Sequence, residues 1–320
     1  MNIVCATDDN FVQHCSIMLT SLLVNNSDVY IYVLTEGLKS ENEKIIRDEV
    51  EDKGGKVEFC IVDTSIVEKF PMPEGKHLQH ISRATYYRLL IPEILPVEVE
   101  HVIYLDCDII INGSLEELWS LNLEGKALAA ALQIGSGFEA LRLGYPIEYG
   151  YFNAGVNLIN MKYWRKNSVS KALIDFISAN FSKIKYHDQD ALNAVLYDKT
   201  LHLLPMWNMT SVFYSFHWKR KGDKHDGIIV NRYEDEKSNA KSYLSNPIIL
   251  HYVSKPKPWQ RGCIHPLSHL YYDYAKKTLY YNTIRQESLF KRKLNIARYW
   301  LRSQLSMVKQ LVVHTDQSRL

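Results

Sequence analysis

Residues 2–34 read NIVCATDDNFVQHCSIMLTSLLVNNSDVYIYVL, and the change of rhythm inside this run decides the fold. Asn2 to Ala6 is an apolar run of strand length. Phe11, Cys15, Met18, Leu19, Leu22 and Leu23 then recur at helical spacing on one face. Asn25-Asn26-Ser27-Asp28 is a turn, and Val29 to Leu34 is β-branched and aromatic, which predicts a second strand. The pattern repeats at once. Ser40 and Glu43 have the spacing of a capping box for a helix through Val50, Gly54-Gly55 breaks that helix, and Val57 to Val62 is a third strand. Strands alternating with helices of this length need crossover connections. They therefore predict an α/β, Rossmann-like fold with a mainly parallel central sheet, whose ligands bind beyond the carboxyl ends of the strands.

Further along, a helix is expected over Ser82 to Ile91. His101 to Leu105 is an apolar strand that stops abruptly at Asp106-Cys107-Asp108, and Ser114 with Glu117 offers another capping box. More strands are expected at Lys126 to Leu132, Gly155 to Ile159, Leu201 to Leu204 and Pro247 to Tyr252, with helices near 164–182 and 188–197. No internal repeat or low-complexity segment interrupts the pattern.

The composition of the 320 residues, 46% hydrophobic and 23% charged, is that of a folded globular protein rather than a disordered or fibrous one. No apolar run reaches the roughly 20 residues needed to span a bilayer. The first residues carry no basic stretch ahead of an apolar one, so a cytoplasmic chain without a signal peptide is expected. For such a chain the sequon Asn208-Met209-Thr210 has no meaning. Cys5, Cys15, Cys60, Cys107 and Cys263 are scattered without C-x-x-C spacing, which predicts free thiols packed as small apolar groups and neither a disulfide framework nor a zinc site.

Charge is unevenly spread although the net value is only +2. After Ile284 eight basic residues face only Glu287 and Asp316, giving that tail a formal +6. From Phe290, the residues Leu294, Ala297, Leu301, Leu305, Val308 and Val312 recur at spacings of three and four, with Tyr299 and Trp300 beside them. This predicts a basic amphipathic helix that lies on an anionic membrane surface, the alternatives being a helix packed on the catalytic domain or on a partner. Nucleic acid is not an expected partner, because no groove-reading motif accompanies the charge. The expected organisation is a catalytic domain over 1–265 and a membrane-associating helical segment over 266–320.

Asp106-Cys107-Asp108 carries the sharpest chemical signal. Two carboxylates two residues apart, leaving a strand, can converge on one hard divalent cation. Two aspartates after a strand also suit a simple turn. The surrounding motifs decide for the cation. Ala6-Thr7-Asp8-Asp9-Asn10-Phe11, Thr85-Tyr86-Tyr87-Arg88-Leu89, Tyr104-Leu105-Asp106-Cys107-Asp108, Tyr151-Phe152-Asn153-Ala154-Gly155-Val156, His187-Asp188-Gln189-Asp190 and His251-Tyr252 followed by Lys257-Pro258-Trp259 occur in this order. Together they resemble glycosyltransferase family 8, whose members include bacterial lipopolysaccharide galactosyl- and glucosyltransferases and glycogenin.

The resemblance implies a GT-A type nucleotide-sugar fold and a retaining transfer of a hexose from a UDP-sugar to a glycan acceptor of bacterial surface polysaccharide or lipopolysaccharide, the acceptor being lipid-linked. It implies that Ala6, Asp8 and Asn10 surround uracil and ribose, where a carboxylate suits the uracil N3–H. Asp106, Asp108 and His251 would be metal ligands, an oxygen-rich set with one imidazole that fits Mn²⁺ and, less well, Mg²⁺. Lys257 and Ser254 would lie at the diphosphate and Arg88 would reach the donor. Asn153, Asp188 and Gln189 would hold the transferred sugar, with Asp188 and Gln189 at the reacting centre. Asp190 equally fits a residue that orients the following helix. Two departures stand out: Gln133 replaces an aspartate of the galactosyltransferase-like members, and Ser254 replaces a glycine. Other functions remain open on sequence alone. A haloacid-dehalogenase-type phosphatase also places D-x-D after an apolar strand, though at the start of its core fold, and a sugar-nucleotide-binding protein without transfer activity would need the same pocket.

Overall fold

The computed structural model describes residues 1–70, 83–133, 136–214, 243–244, 246–253, 255–284, 294–295 and 297–298. Ten strands lie among them: β1 Asn2–Ala6, β2 Tyr30–Thr35, β3 Lys56–Ile61, β4 His101–Leu105, β5 Ile109–Ile111, β6 Leu128–Leu132, β7 Phe152–Asn160, β8 Thr200–Leu203, β9 Met209–Thr210 and β10 Ile249–His251. The α-helices are α1 Val12–Asn25, α2 Ser40–Asp52, α3 Ile91–Ile94, α4 Glu116–Trp119, α5 Gly137–Leu143, α6 Met161–Lys166, α7 Val169–Ala179, α8 His187–Leu196 and α9 Ser268–Ala275.

Seven strands form the central sheet in the order β3-β2-β1-β4-β7-β6-β8. The β1–β2, β2–β3, β1–β4 and β6–β8 pairs are parallel, as the alternation of strands and helices predicts, while β7 runs antiparallel to both β4 and β6. Strand order reverses between β1 and β4, which opens a crevice at their carboxyl ends. Successive side chains of each strand face opposite layers. Ile3 and Cys5 thus join the core under α1, α2 and α9, whereas Val4 joins the core under α6, α7 and α8.

Several local expectations are corrected. The stretch expected as one helix over 82–91 is a 3-10 helix, Arg83–Leu90, followed by α3; Pro92 supplies no N–H, so an α-helical ladder cannot run through it. The helix expected over 164–182 is two, α6 and α7, parted at Ser168, whose φ of 48° lies in the left-handed region. The capping box of Ser40 and Glu43 is not formed: Lys39 is the N-cap and makes no side-chain cap bond. Instead, Asp9 reaches over from the β1–α1 turn and accepts from Lys39 N at 3.1 Å and Asn42 Nδ2 at 2.7 Å. The box of Ser114 and Glu117 is not formed either: Leu115 is the N-cap without a side-chain cap bond, and Ser114 Oγ accepts from Glu116 N at 3.2 Å. Gly54, at φ +77°, ends α2 as expected.

The loop from α3 to β4 is closed by one side chain. Arg165 donates from Nε to Pro92 O, from Nη1 to Val97 O and Val99 O, and from Nη2 to Leu95 O and Pro96 O, at 2.8–3.3 Å.

The domain boundary expected at 265 also moves. Tyr271, Tyr272, Tyr274, Ala275, Tyr280 and Ile284 belong to the main core. Tyr274 Oη accepts from Asn25 Nδ2 at 2.9 Å, and Tyr280 Oη donates to Asn42 Oδ1 at 2.8 Å. The packed domain therefore runs to Ile284. Of the basic helix expected beyond it, only Leu294, Asn295, Ala297 and Arg298 are described, and they are helical; Leu301, Leu305, Val308 and Val312 lie outside the described residues. Among the described residues no helix is long and apolar enough to cross a membrane.

Candidate active site

A second, three-stranded sheet, β5-β10-β9, builds the chemical corner. β5 begins directly after Asp108. β10 pairs antiparallel to it with His251 opposite Ile109, and Tyr252 N donates to Asp108 O at 3.0 Å. That register sets His251 beside the D-x-D turn. His251 Nε2 lies 3.0 Å from Asp108 Oδ1 and 3.8 Å from Asp106 Oδ2, and the donor atoms of all three residues fall within 4.8 Å of one another. On the other side, β7 places Gly155 against Asp106, whose N–H donates to Gly155 O at 2.9 Å.

The donor set fits a divalent cation for three reasons. It offers two carboxylates and one imidazole, as hard and borderline ions prefer. The imidazole is also held in one tautomer. Asn208 Nδ2 donates to Asn153 Oδ1 at 2.8 Å, so Asn208 Oδ1 is the acceptor that faces His251 Nδ1 at 2.9 Å. Nδ1 therefore carries a proton, so it is Nε2 that the ring would offer to a cation between the aspartates. Finally, a Cβ added at Gly155 would stand 2.2 Å from His251 Cε1 and 2.7 Å from Asp106 Oδ2. Glycine is needed there because the ligands occupy the space.

Charge is concentrated around this corner. Lys257 Nζ, buried, lies 2.5 Å from Asp108 Oδ2 and also donates to Tyr252 O. Burial alone would push the Asp108 carboxyl up, but Lys257 and His251 outweigh it and hold it far below the usual carboxylate range. Arg88 is not the exposed ion-pair partner that a helix position allows, since it is only 4% accessible. Its Nη2 meets Asp106 Oδ1 and its Nε meets Asp188 Oδ2, each at 2.7 Å, Nη1 donates to Ala154 O, and its guanidinium carbon stands 4.0 Å above the Tyr104 ring. Against the cost of burial, Asp106 and Asp188 keep this arginine charged. Arg88 bolts the two aspartates to each other.

The cleft at this corner has a volume of about 740 Å³ and is lined by Ala6, Asp8, Asn10, Arg88, Asp106, Asp108, Asn153, Asp188, Gln189, His251 and Lys257. These are all the residues expected from the sequence except Ser254, which lies outside the described residues. Asp8 Oδ1 accepts from Asn10 N at 2.9 Å and Phe11 N at 3.0 Å, which fixes the turn and takes up one carboxylate oxygen. Across the cleft the chemistry changes from ions to amides. Gln189 Oε1 accepts from Asn153 Nδ2 at 3.1 Å and Ala154 N at 2.9 Å, while Gln189 Nε2 donates to Gln133 Oε1 at 3.3 Å. Asp188, buried at the start of α8, accepts from Thr85 Oγ1 at 2.5 Å.

With this geometry in place, comparison with known proteins is decisive. The profile of Glycosyl transferase family 8 matches residues 2–263. The chain belongs to that family. General stress protein A of Bacillus subtilis is 31% identical over 291 residues, covering 89% of this glycosyltransferase and 96% of its relative. The lipopolysaccharide 1,3-galactosyltransferase of Salmonella typhimurium is 25% identical over 276 residues, covering 83% and 75% of the two chains. In fold, the glycosyltransferase resembles the galactosyltransferase LgtC solved with donor and acceptor sugar analogs, with a TM-score of 0.73, 23% identity and 92% and 99% coverage.

Sequence reasoning missed two residues here. Asn208, seen only as an irrelevant sequon, sits just before β9 and fixes the His251 tautomer. Gly155 was legible as part of its motif but not as the residue that makes room for the ligands. Trp259 of the Lys257-Pro258-Trp259 segment stacks on His14 at 3.8 Å, and His14 Nδ1 pairs with Tyr271 Oη at 2.7 Å.

Proposed function

We propose that this glycosyltransferase moves a hexose, galactose or glucose, from a UDP-sugar to a glycan acceptor of bacterial surface polysaccharide or lipopolysaccharide, with retention of the α configuration. The observation that carries the reading is the corner of Asp106, Asp108 and His251, set beside Lys257 at the point where strand order reverses. Asp106, Asp108 and His251 would hold a divalent cation, Mn²⁺ or Mg²⁺, whose chemistry is Lewis-acid stabilisation of a departing diphosphate. Lys257 adds a fixed positive charge for the same leaving group. Ala6, Asp8 and Asn10 take the uracil and ribose, and Asn153, Asp188 and Gln189 take the sugar hydroxyls.

An amide is a poor nucleophile, and the Gln189 carbonyl oxygen already accepts two hydrogen bonds. A glycosyl-enzyme intermediate of the retaining-glycosidase kind therefore has no support. The reading is front-face substitution: the bond from the anomeric carbon to the phosphate oxygen breaks, the bond to the acceptor oxygen forms on the same face, and the acceptor proton passes to the leaving phosphate. A donor-hydrolysis screen across UDP-sugars with Mn²⁺ tests the donor class, and UDP-galactose or UDP-glucose should be turned over fastest. NMR of the fresh glycoside tests the stereochemistry; a β linkage overturns retention.

The same reading makes the tail from Arg285 a peripheral membrane anchor on the cytoplasmic face, carrying the enzyme to a lipid-linked acceptor. Each basic residue near an anionic surface contributes about 1 kcal/mol before screening. Full-length protein should bind anionic vesicles less tightly as salt rises, and a chain ending at Ile284 should stay folded and lose vesicle binding. Indifference to anionic vesicles at low salt removes the anchor.

A further inference from the structure

Three cysteines that are far apart in sequence meet directly behind the metal corner. Cys5 on β1 and Cys15 on α1 are completely inaccessible, and Cys107, the central residue of the D-x-D turn, is 6% accessible. Their three sulfur atoms lie within 4.8 Å of one another. Cys5 Sγ and Cys15 Sγ are 3.7 Å apart, and Cys107 Sγ donates to Ala6 O at 3.3 Å. The sequence hides this cluster because its members sit on three separate elements, the first strand, the first helix and the end of the fourth strand.

Geometry distinguishes what the cluster can take. A disulfide needs sulfurs about 2.05 Å apart, so Cys5 and Cys15 would have to close by well over an ångström inside a packed core. A metal–sulfur bond of about 2.3 Å sets neighbouring sulfurs about 3.8 Å apart in a tetrahedral site; Cys5 Sγ and Cys15 Sγ stand 3.7 Å apart, and Cys107 Sγ lies within 4.8 Å of both. Three sulfurs with one backbone carbonyl beside them make a soft donor set, unlike the hard set of Asp106, Asp108 and His251. The cluster borders the cleft, since Cys107 also lines it.

The geometry points to a second cation site in this enzyme, a three-thiolate site formed by Cys5, Cys15 and Cys107 for a soft, thiophilic cation such as Cu⁺ or Cd²⁺. On binding, each sulfur exchanges its proton for a bond to the cation and the protons pass to solvent. Because Cys107 is flanked by Asp106 and Asp108, a cation held there adds positive charge immediately behind the carboxylates that face the cleft. The site is selective by softness, so excess Mg²⁺ does not compete for it.

The test uses the reduced full-length protein with excess Mg²⁺ and Cd²⁺ as the probe, followed by thiolate-to-metal charge-transfer absorption. One equivalent should bind. Cys15→Ser should weaken binding by more than the ~10–100-fold that loss of an outer partner costs, and the same protein carrying Cys60→Ser and Cys263→Ser should bind as the parent does. X-ray absorption of the parent with one equivalent of Cd²⁺ should count three sulfur ligands, a readout that needs no substitution to fold and no turnover of sugar. Absence of the absorption band, a band unaffected by Cys15→Ser in folded protein, or fewer than three sulfur ligands overturns the site.

Discussion

Asp188 and Asp190 sit two residues apart at the start of α8, and both are buried, yet they do opposite work. Asp190 is completed by protein: Oδ1 accepts from Arg142 Nη2 at 2.7 Å and Tyr151 Oη at 2.8 Å, and Oδ2 accepts from Lys185 N at 2.6 Å and Tyr186 N at 2.8 Å. It ties the incoming chain and α5 to the helix. Asp188 faces the cleft and is held through Arg88, which also grips Asp106. Aspartates 8 and 9 divide in the same way: Asp8 lines the cleft while Asp9 anchors α2. Asp190 and Asp9 are spent on joining neighbouring elements, whereas Asp188 and Asp8 keep a face on the cleft.

The sharpest way to break this comparison is to neutralise each member in turn. Asp188→Asn should lower kcat/KM by about 10²–10³-fold, on the scale of losing a charge-stabilising group, and should cost less stability than the change at Asp190, because its partners are the side chains of Thr85 and Arg88 and Arg88 keeps Asp106 as an ion partner. Asp190→Asn should weigh the other way: its carboxylate accepts from four donors, two of them backbone N–H groups, and an amide NH₂ turned toward them leaves buried donors unpaired at about 1–3 kcal/mol each, while the folded fraction keeps its activity. Urea unfolding beside steady-state kinetics reads both. Equal losses of stability would erase the distinction.

Next in size is Gly155→Ala, which tests whether the cleft side of the comparison depends on space as well as charge. The added methyl collides with His251 and Asp106. Divalent-cation affinity, measured by calorimetry, should fall by roughly 10–100-fold, the range for disturbing ligand orientation. Asn208→Ala should follow it in the same assay, through loss of the His251 tautomer.

Moderate acid sharpens the contrast from another side. Burial pushes His14 down to about 3 and His265 likewise to about 3. Their unfolded-state value is near 6.5, so both are held neutral in the folded protein. The stability they contribute is fully present above about pH 6.5 and is lost as pH falls toward 3. Between about pH 7.5 and pH 5.5 each should remove about 1 kcal/mol. His265→Gln should flatten that slope by half in urea unfolding. Asp108 plays no part in this window, because Lys257 and His251 keep it ionised throughout.

The smallest effect concerns the first acidic pair. Asp9→Ala should cost about 1 kcal/mol, as loss of a helix cap does, and leave UDP affinity intact, whereas Asp8→Ala should cost a similar amount, since its Oδ1 holds Asn10 N and Phe11 N, and should weaken UDP as well. Calorimetry with UDP checks both halves.

How far the sequence could be read follows from the same physics. β1, β2, β3 and β4 were legible because each is a buried apolar run set off by turns, and eleven of the twelve expected site residues line one cleft because motifs at the ends of strands meet there. What stayed hidden depended on pairing across long separations. No local pattern announces that β7 runs backwards, that β10 lies beside β5, or that Asn208 reaches His251. The 3-10 geometry around Arg88 and the break at Ser168 are local, but they reflect tertiary demands that override periodicity. The cysteines were read as inert for the same reason: spacing along the chain says nothing about sulfurs gathered from three elements.

The clamp made by Arg165 has a consequence for how this enzyme can vary. All five of its bonds go to backbone carbonyls between Pro92 and Val99, and Val97 in that loop is 73% exposed. The loop joins the segment carrying Arg88 to the strand that ends at Asp106, so its length fixes how those two residues meet. The clamp reads no side chain. Exposed positions such as Val97 are therefore free to drift in identity, while the spacing is not. A library of substitutions at Val97 should pass a folding screen almost whole, and deletion of this one residue should fail it.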